Sequence, residues 1–283
     1  MSNVDGIMFS EETLQGCEVT TVTVQSEQAA KALGKSIGTY ITIQANTTLD
    51  KLGDVLPVGE CLAEVLDRVL SPYYHGKLCI CGMGNRRFLH DSLGPEVTYN
   101  LPLKMYSGRE GNFCDVCSFD PGVSMITNIN TEKTVAGVVK EIKADCVLLI
   151  DSSIAQDISR LSRTIQLSTA GGVSPYLSGR KADWSSLGVP VVSLTVPTVI
   201  PLSALDPKPE ARDELFTSAA VKDVIAAAGS IIAYAILRAC WPNQSKAACF
   251  IFSKMNKDPI PFSSALGEAF EEETGKSETP ISH

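Results

Sequence analysis

The run Cys146–Asp151, CVLLID, constrains the fold more than any other stretch of this chain. Five apolar residues in succession leave no polar face to give to water. A strand of that kind is covered on both sides, as at the centre of a parallel sheet whose strands are joined by crossover helices. KLCICG at 77–82 is a second short apolar strand, and LGVPVVSLTVPTVIPL a third, with flanking prolines that fix its ends. Between them lie helical patterns. ECLAEVLDRVL sets Leu62, Val65, Leu66, Val69 and Leu70 on one face, and TEKTVAGVVKEIKAD is opened by Thr131 with Glu132 in its first turn. The expectation is an α/β fold: a mostly parallel or mixed twisted sheet with helices on both faces.

The flanking regions read in the same terms. CEVTTVTV, QSEQAAKALGK and GTYITIQ form strand, helix and strand, and RTIQLS is a further strand. SSIAQDISRLS is expected as a short helix, and Asp91 or Ser92 as the cap of a helix interrupted early by Gly94 and Pro95. The stretch 203–214, containing DPKPEARDE, reads as a linker before a helix at 217–239. The apolar run Val224–Leu237 falls short of the roughly 20 residues needed to span a bilayer and is expected to be a buried helix. A single domain is expected over 1–263, with 264–283 a flexible acidic tail.

A chain of 283 residues suffices for one large α/β domain. The formal charge of −8, with no basic run or stripe, argues against nucleic acid or an anionic membrane as partner. The amino terminus, MSNVDGIMFSEETLQG, lacks a basic region followed by an apolar stretch, so a cytoplasmic protein is expected. Nine cysteines, several inside apolar strands, fit a reducing compartment. Cys114 and Cys117 have CxxC spacing, which reads as half of a zinc site, a redox pair, or two thiols in a loop; the last is favoured, because no second pair accompanies them.

Two aspartates stand out, sixty positions apart: Asp91 in GMGNRRFLHDSLGP and Asp151 in CVLLIDSSI. Each follows an expected strand and precedes an expected helix. Both therefore belong on the rim beyond the carboxyl ends of the strands, where open α/β sheets bind ligands and where paired acids suit general acid/base work. The same positions suit plain helix caps. GMGN has the first two glycines of a dinucleotide fingerprint, but Arg87 stands where the third belongs. A bend at Gly82, Gly84 and Asn85 that lets backbone approach a substrate peptide is the preferred reading. No phosphate loop and no GxSxG elbow is present, and among three histidines His90 alone neighbours a candidate site, which makes a thin metal site. No cofactor or metal is expected.

Five separated blocks resemble the spore germination protease family, endopeptidases of small acid-soluble spore proteins: KALGKSIGTYITIQ, GMGNRRFLHDSLGPEV, PGVSMITNINTEK, KADCVLLIDSSIAQDISRLSRTIQLS and LGVPVVSLTVPTVI. The resemblance implies a fold similar to hydrogenase maturation proteases and an atypical aspartic endopeptidase, with Asp91 and Asp151 as the catalytic pair. It also implies a homotetramer in the spore core that acts on those spore proteins. The chain departs from the family pattern in places. After TIQ it reads LSTAGGVSPYLSGRK, where the family has Asp-Thr-Gly and His-Pro-Gly, and Ile200 and Pro201 replace Asp-Ala. NVDGIM, with Asp5, stands in for the family's Arg-Thr-Asp-Leu-Ala, so a removable leader of ordinary length is not expected. These departures keep two alternatives open: a non-catalytic paralogue that binds such proteins, and a metal-dependent maturation-type protease using His90.

Overall fold

The computed structural model describes residues 5–50, 55–171, 184–205 and 214–253. In chain order they form β1 (Ile7–Leu14), β2 (Cys17–Val24), α1 (Glu27–Leu33), β3 (Gly38–Gln44), α2 (Val55–Leu70), β4 (Lys77–Gly82), α3 (Leu93–Tyr99), β5 (Asp115–Phe119), α4 (Ser124–Thr127) and α5 (Thr131–Ile142). There follow β6 (Cys146–Ile154), β7 (Thr164–Ser168), β8 (Val191–Pro201), α6 (Leu202–Leu205), β9 (Leu215–Thr217), α7 (Val221–Cys240) and α8 (Lys246–Phe252).

All nine strands join one mixed sheet in the order β1-β2-β3-β7-β8-β6-β4-β5, with β9 added beside β8. The strands β8, β6, β4 and β5 run parallel, and the β1-β2-β3-β7 half is antiparallel. The apolar run of β6 does lie at the centre of the parallel half, between β4 and β8. Its alternate residues feed two cores. Leu148 and Ile150 pack with α2, α3 and α7 on one face, and Val147 and Leu149 with Val135 and Val139 of α5 on the other. Each fully buried leucine contributes ~1.5–3 kcal/mol by leaving water.

The α2 stripe is buried as its spacing requires, with Leu62 and Leu66 wholly enclosed. Gly59 lets α2 approach α7, since a Cβ there would stand 2.6 Å from the Tyr234 ring. α5 starts at Thr131 and is capped by Asn130, whose side chain accepts the Lys133 N–H at 2.8 Å, a bond worth about 1 kcal/mol. α7 is apolar and long enough to match a membrane span by composition, yet 83% of that stretch is buried inside this fold.

Several expectations are corrected. Gly94 and Pro95 do not interrupt α3 but form its first turn, where a missing N–H costs nothing. No α-helix lies between Asp151 and β7: β6 continues to Ile154 because β8 keeps pairing with it, and a single 3-10 turn, Ile158–Arg160, separates it from β7. Residues 215–217 form a strand, so the last long helix begins at Val221. β1 arises where no strand was expected, its side chains mostly exposed and its backbone held by eight pairings with β2. The expected acidic tail, most of the linker and residues 172–180 of the post-TIQ loop lie outside the described residues.

Cys114 precedes β5 and Cys117 lies within it, directly paired with Cys79 of β4, so this CxxC is not a free loop. Cys117 is pushed up chiefly by its contact with Cys79 and then by burial, and seven other cysteines are buried. Cys114 alone is exposed. Brief alkylation of the native protein is therefore expected to label Cys114 at least tenfold faster than any other thiol, as read by peptide mass spectrometry.

Candidate active site

Chain connections leave β4 and β6 in opposite directions. From β4 the chain goes to β5 on one side, and from β6 it proceeds towards β7 and β8 on the other. The carboxyl ends of β4 and β6 thus flank a switch point, the place where open α/β sheets form a crevice. Pairing between them stops at Gly82 and Ile150, sealed by the Met83 N–H donating to the Ile150 carbonyl at 2.7 Å. Asp151 is the next residue of β6. It still pairs with Thr195 of β8, but on the β4 side the strand partner has ended.

That gap is filled by the loop 83–92, which carries Asp91. The loop is closed by its own backbone: the Asn85 N–H donates to the Asp91 carbonyl at 2.7 Å, Phe88 N–H to the Asn85 carbonyl at 3.0 Å, and Asp91 N–H to the Phe88 carbonyl at 2.9 Å. The Asn85 side chain accepts from the Arg87 N–H at 3.0 Å, which bends the chain into a turn. Asp91 ends a 3-10 turn, Leu89–Asp91, and its side chain caps no helix; neither it nor Ser92 makes a side-chain cap bond to α3.

The glycines permit the fit. Gly84 has φ of +120°, and a Cβ on it would stand 2.0 Å from the Asp91 carbonyl oxygen. A Cβ on Gly82 would stand 2.3 Å from the Gly94 carbonyl oxygen, and one on Gly94 would stand 2.3 Å from both the nitrogen and oxygen of Met83. The space beside Gly82 and Gly84 is thus occupied by the chain's own backbone, and the close approach they allow is that of the Asp91 loop and α3 to the strand ends. Nothing in the GMGN pattern alone distinguishes this from an approach by a ligand.

Asp91 and Asp151 are 9% and 7% exposed, enough for contact with solvent but little for hydration. Burial raises Asp91 from its ordinary value near 3.8 to about 6, opposed by the Asn85 backbone N–H. Burial also drives Asp151 well above the carboxylate range, the charge of Asp91 pushes it further, and the Ser152 N–H, donating to Asp151 Oδ1 at 2.8 Å, opposes the rise. The two carboxyls therefore sense each other and divide the roles. At neutral pH Asp91 is ionised, while burial and the Asp91 charge both favour the protonated form of Asp151.

Around them the rim carries exposed apolar side chains: Phe88 and Leu89 in the Asp91 loop, Ile154 and Ile158 after Asp151, and Phe216 on β9. His90 stacks on Phe88 with ring centroids 5.9 Å apart, and burial lowers its pKa, which favours the neutral imidazole. Among the described residues no group of three or more His, Cys, Asp and Glu side chains is placed to hold a metal ion. A separate groove of about 590 Å³, lined by Tyr106, Phe113 and Trp241 beside β5, includes neither aspartate.

Fold and site together define an α/β protein with a buried carboxyl pair at a sheet switch point. The chain belongs to the germination protease family, whose sequence pattern matches residues 1–207. It is 35% identical over 208 residues to the germination protease of Caldanaerobacter subterraneus subsp. tengcongensis, covering 70% of this chain and 64% of that protein. Against the germination protease of Clostridium perfringens the identity is 31% over 209 residues, with the same coverage. Against that of Bacillus velezensis it is 32% over 210 residues, covering 70% of this chain and 57% of the relative. The chain thus spans about 64% of the length of the first of these relatives.

Proposed function

We propose that this chain is a cytoplasmic endopeptidase of the germination protease type that cuts small acid-soluble spore proteins with Asp91 and Asp151 as its acid/base pair. The observation that carries the reading is the placement of two buried carboxyls, Asp91 on the loop that follows β4 and Asp151 on β6, at the switch point of the sheet. Asp91, ionised near neutrality, takes a proton from water as the water attacks the scissile carbonyl. Asp151, whose burial favours the protonated form, polarises that carbonyl and then gives its proton to the leaving amine. Ser152 N–H occupies Asp151 Oδ1, which leaves Oδ2 to carry the proton.

The bend Gly82–Asn85 borders the proposed substrate groove, whereas the described start of the post-TIQ loop, Thr169–Gly171, leaves β7 beyond the Ser168–Ser193 pair and lies beside Gly38 and Thr39, towards the end of the sheet opposite the aspartates. The spore core as location and a homotetramer as the assembled form belong to the same proposal, supported by membership of the family. Incubation of the purified protein with a small acid-soluble spore protein, followed by mass spectrometry of the products, tests it. Discrete internal cuts are expected with the parent chain and none with Asp91→Asn. Tight binding with no product would replace the enzyme by a binding paralogue.

A further inference from the structure

Thr198 lies on β8, three residues beyond the partner of Asp151, with none of its surface exposed. Its hydroxyl donates to the carbonyl of His90 at 2.6 Å, immediately before Asp91. Its own carbonyl accepts the hydroxyl of Thr217 at 2.7 Å. Thr217 ends β9, a strand of three residues that pairs with Val199–Pro201 and leads into α7, which packs on the 89–91 turn. Both β9 and α7 lie beyond residue 207, where the family match ends.

The other bonds described above for the Asp91 turn come from its own loop. The Thr198 hydroxyl ties it to the sheet that also carries Asp151. It therefore bears on the separation of the two carboxyls, a quantity to which acid/base chemistry is sensitive at the level of an ångström.

We propose that Thr198, oriented by Thr217, is a positioning residue for Asp91, so that β9 holds the site from the carboxyl-terminal side. The inference rests on Asp91 being the base. Thr198→Val keeps the shape and removes this donor to the His90 carbonyl. Thr198→Ser keeps the donor.

The test measures kcat and KM on a small acid-soluble spore protein and, separately, the titration of the Asp91 carboxyl by carbon-detected NMR, in the full chain. For Thr198→Val, kcat should fall by roughly 10- to 100-fold while KM stays within about 2-fold, and the Asp91 midpoint should leave the wild-type value. Thr198→Ser should restore both, and Thr217→Val should give a smaller loss of the same kind. An unmoved Asp91 titration in Thr198→Val overturns the relay, whatever happens to melting temperature or rate. A shifted titration rescued by serine, with Asp91→Asn still cleaving, supports the relay and instead overturns Asp91 as the base.

Discussion

Replacing Asp151 by asparagine is expected to reduce turnover by between ~10²- and ~10⁴-fold and at the same time to raise the melting temperature at pH 7. The loss follows from its role as the proton donor, because an amide cannot protonate the leaving amine. The gain follows from burial. Asp151 sits in a place that disfavours its charge and adjoins a second carboxyl, whereas asparagine of the same shape brings no charge to be buried. Asp91→Asn should show the same pairing of effects, and its pH dependence has a definite sign. Asp91 titrates near 6 when folded against about 3.8 ordinarily. Folding therefore takes up a proton between those values: the stabilisation is complete below the ordinary value and is lost as pH rises through about 6. At pH 7 asparagine should recover on the order of 1–2 kcal/mol, after allowing for the solvent that reaches this group. Calorimetry at pH 4 and pH 7 checks this; equal effects at both would contradict it.

Gly94→Ala should be as damaging to stability as the aspartate changes are to rate. The added methyl would stand 2.3 Å from Met83 N and O and 2.5 Å from the Ile150 carbonyl. All three are backbone atoms of the strand ends, unable to swing aside as a side chain does. α3 must then lift off the sheet, breaking the fit that seats the Asp91 loop, at about 3 kcal/mol or more. Gly137→Ala is the contrast. It lies exposed in α5, a Cβ there meets nothing within 4 Å, and the better helix propensity should stabilise by ~0.5–1 kcal/mol. Urea melts of the two variants separate a steric account from a general intolerance of change at glycine.

Much of the site was legible in the sequence because its determinants are local. The apolar run of β6 announces a strand buried on both faces, and an aspartate at its end must then stand at the sheet's carboxyl rim. The same logic placed Asp91 after β4, although the structure sets it in a closed turn and not at a helix cap. What escaped is what depends on pairing at long range. Ser152–Ile154 continue as strand because Val196–Val199 of β8 lie beside them, which overrides the local helical pattern. β1 and β9 exist through their partners, and the glycines of GMGN serve contacts with Gly94 and Asp91 that spacing alone does not disclose. Thr198 acts through a hydrogen bond to the His90 carbonyl, for which no sequence signature exists.

The most direct measurement is the pH dependence of kcat/KM for cleavage of a small acid-soluble spore protein. With Asp91 as an ionised base and Asp151 as a protonated acid, the profile should rise about tenfold per pH unit up to roughly 6 and fall again only once Asp151, held well above the ordinary carboxylate value, loses its proton. A rate that is flat from pH 4 to 8, or that persists with the same profile in Asp91→Asn, would contradict the assignment of the pair.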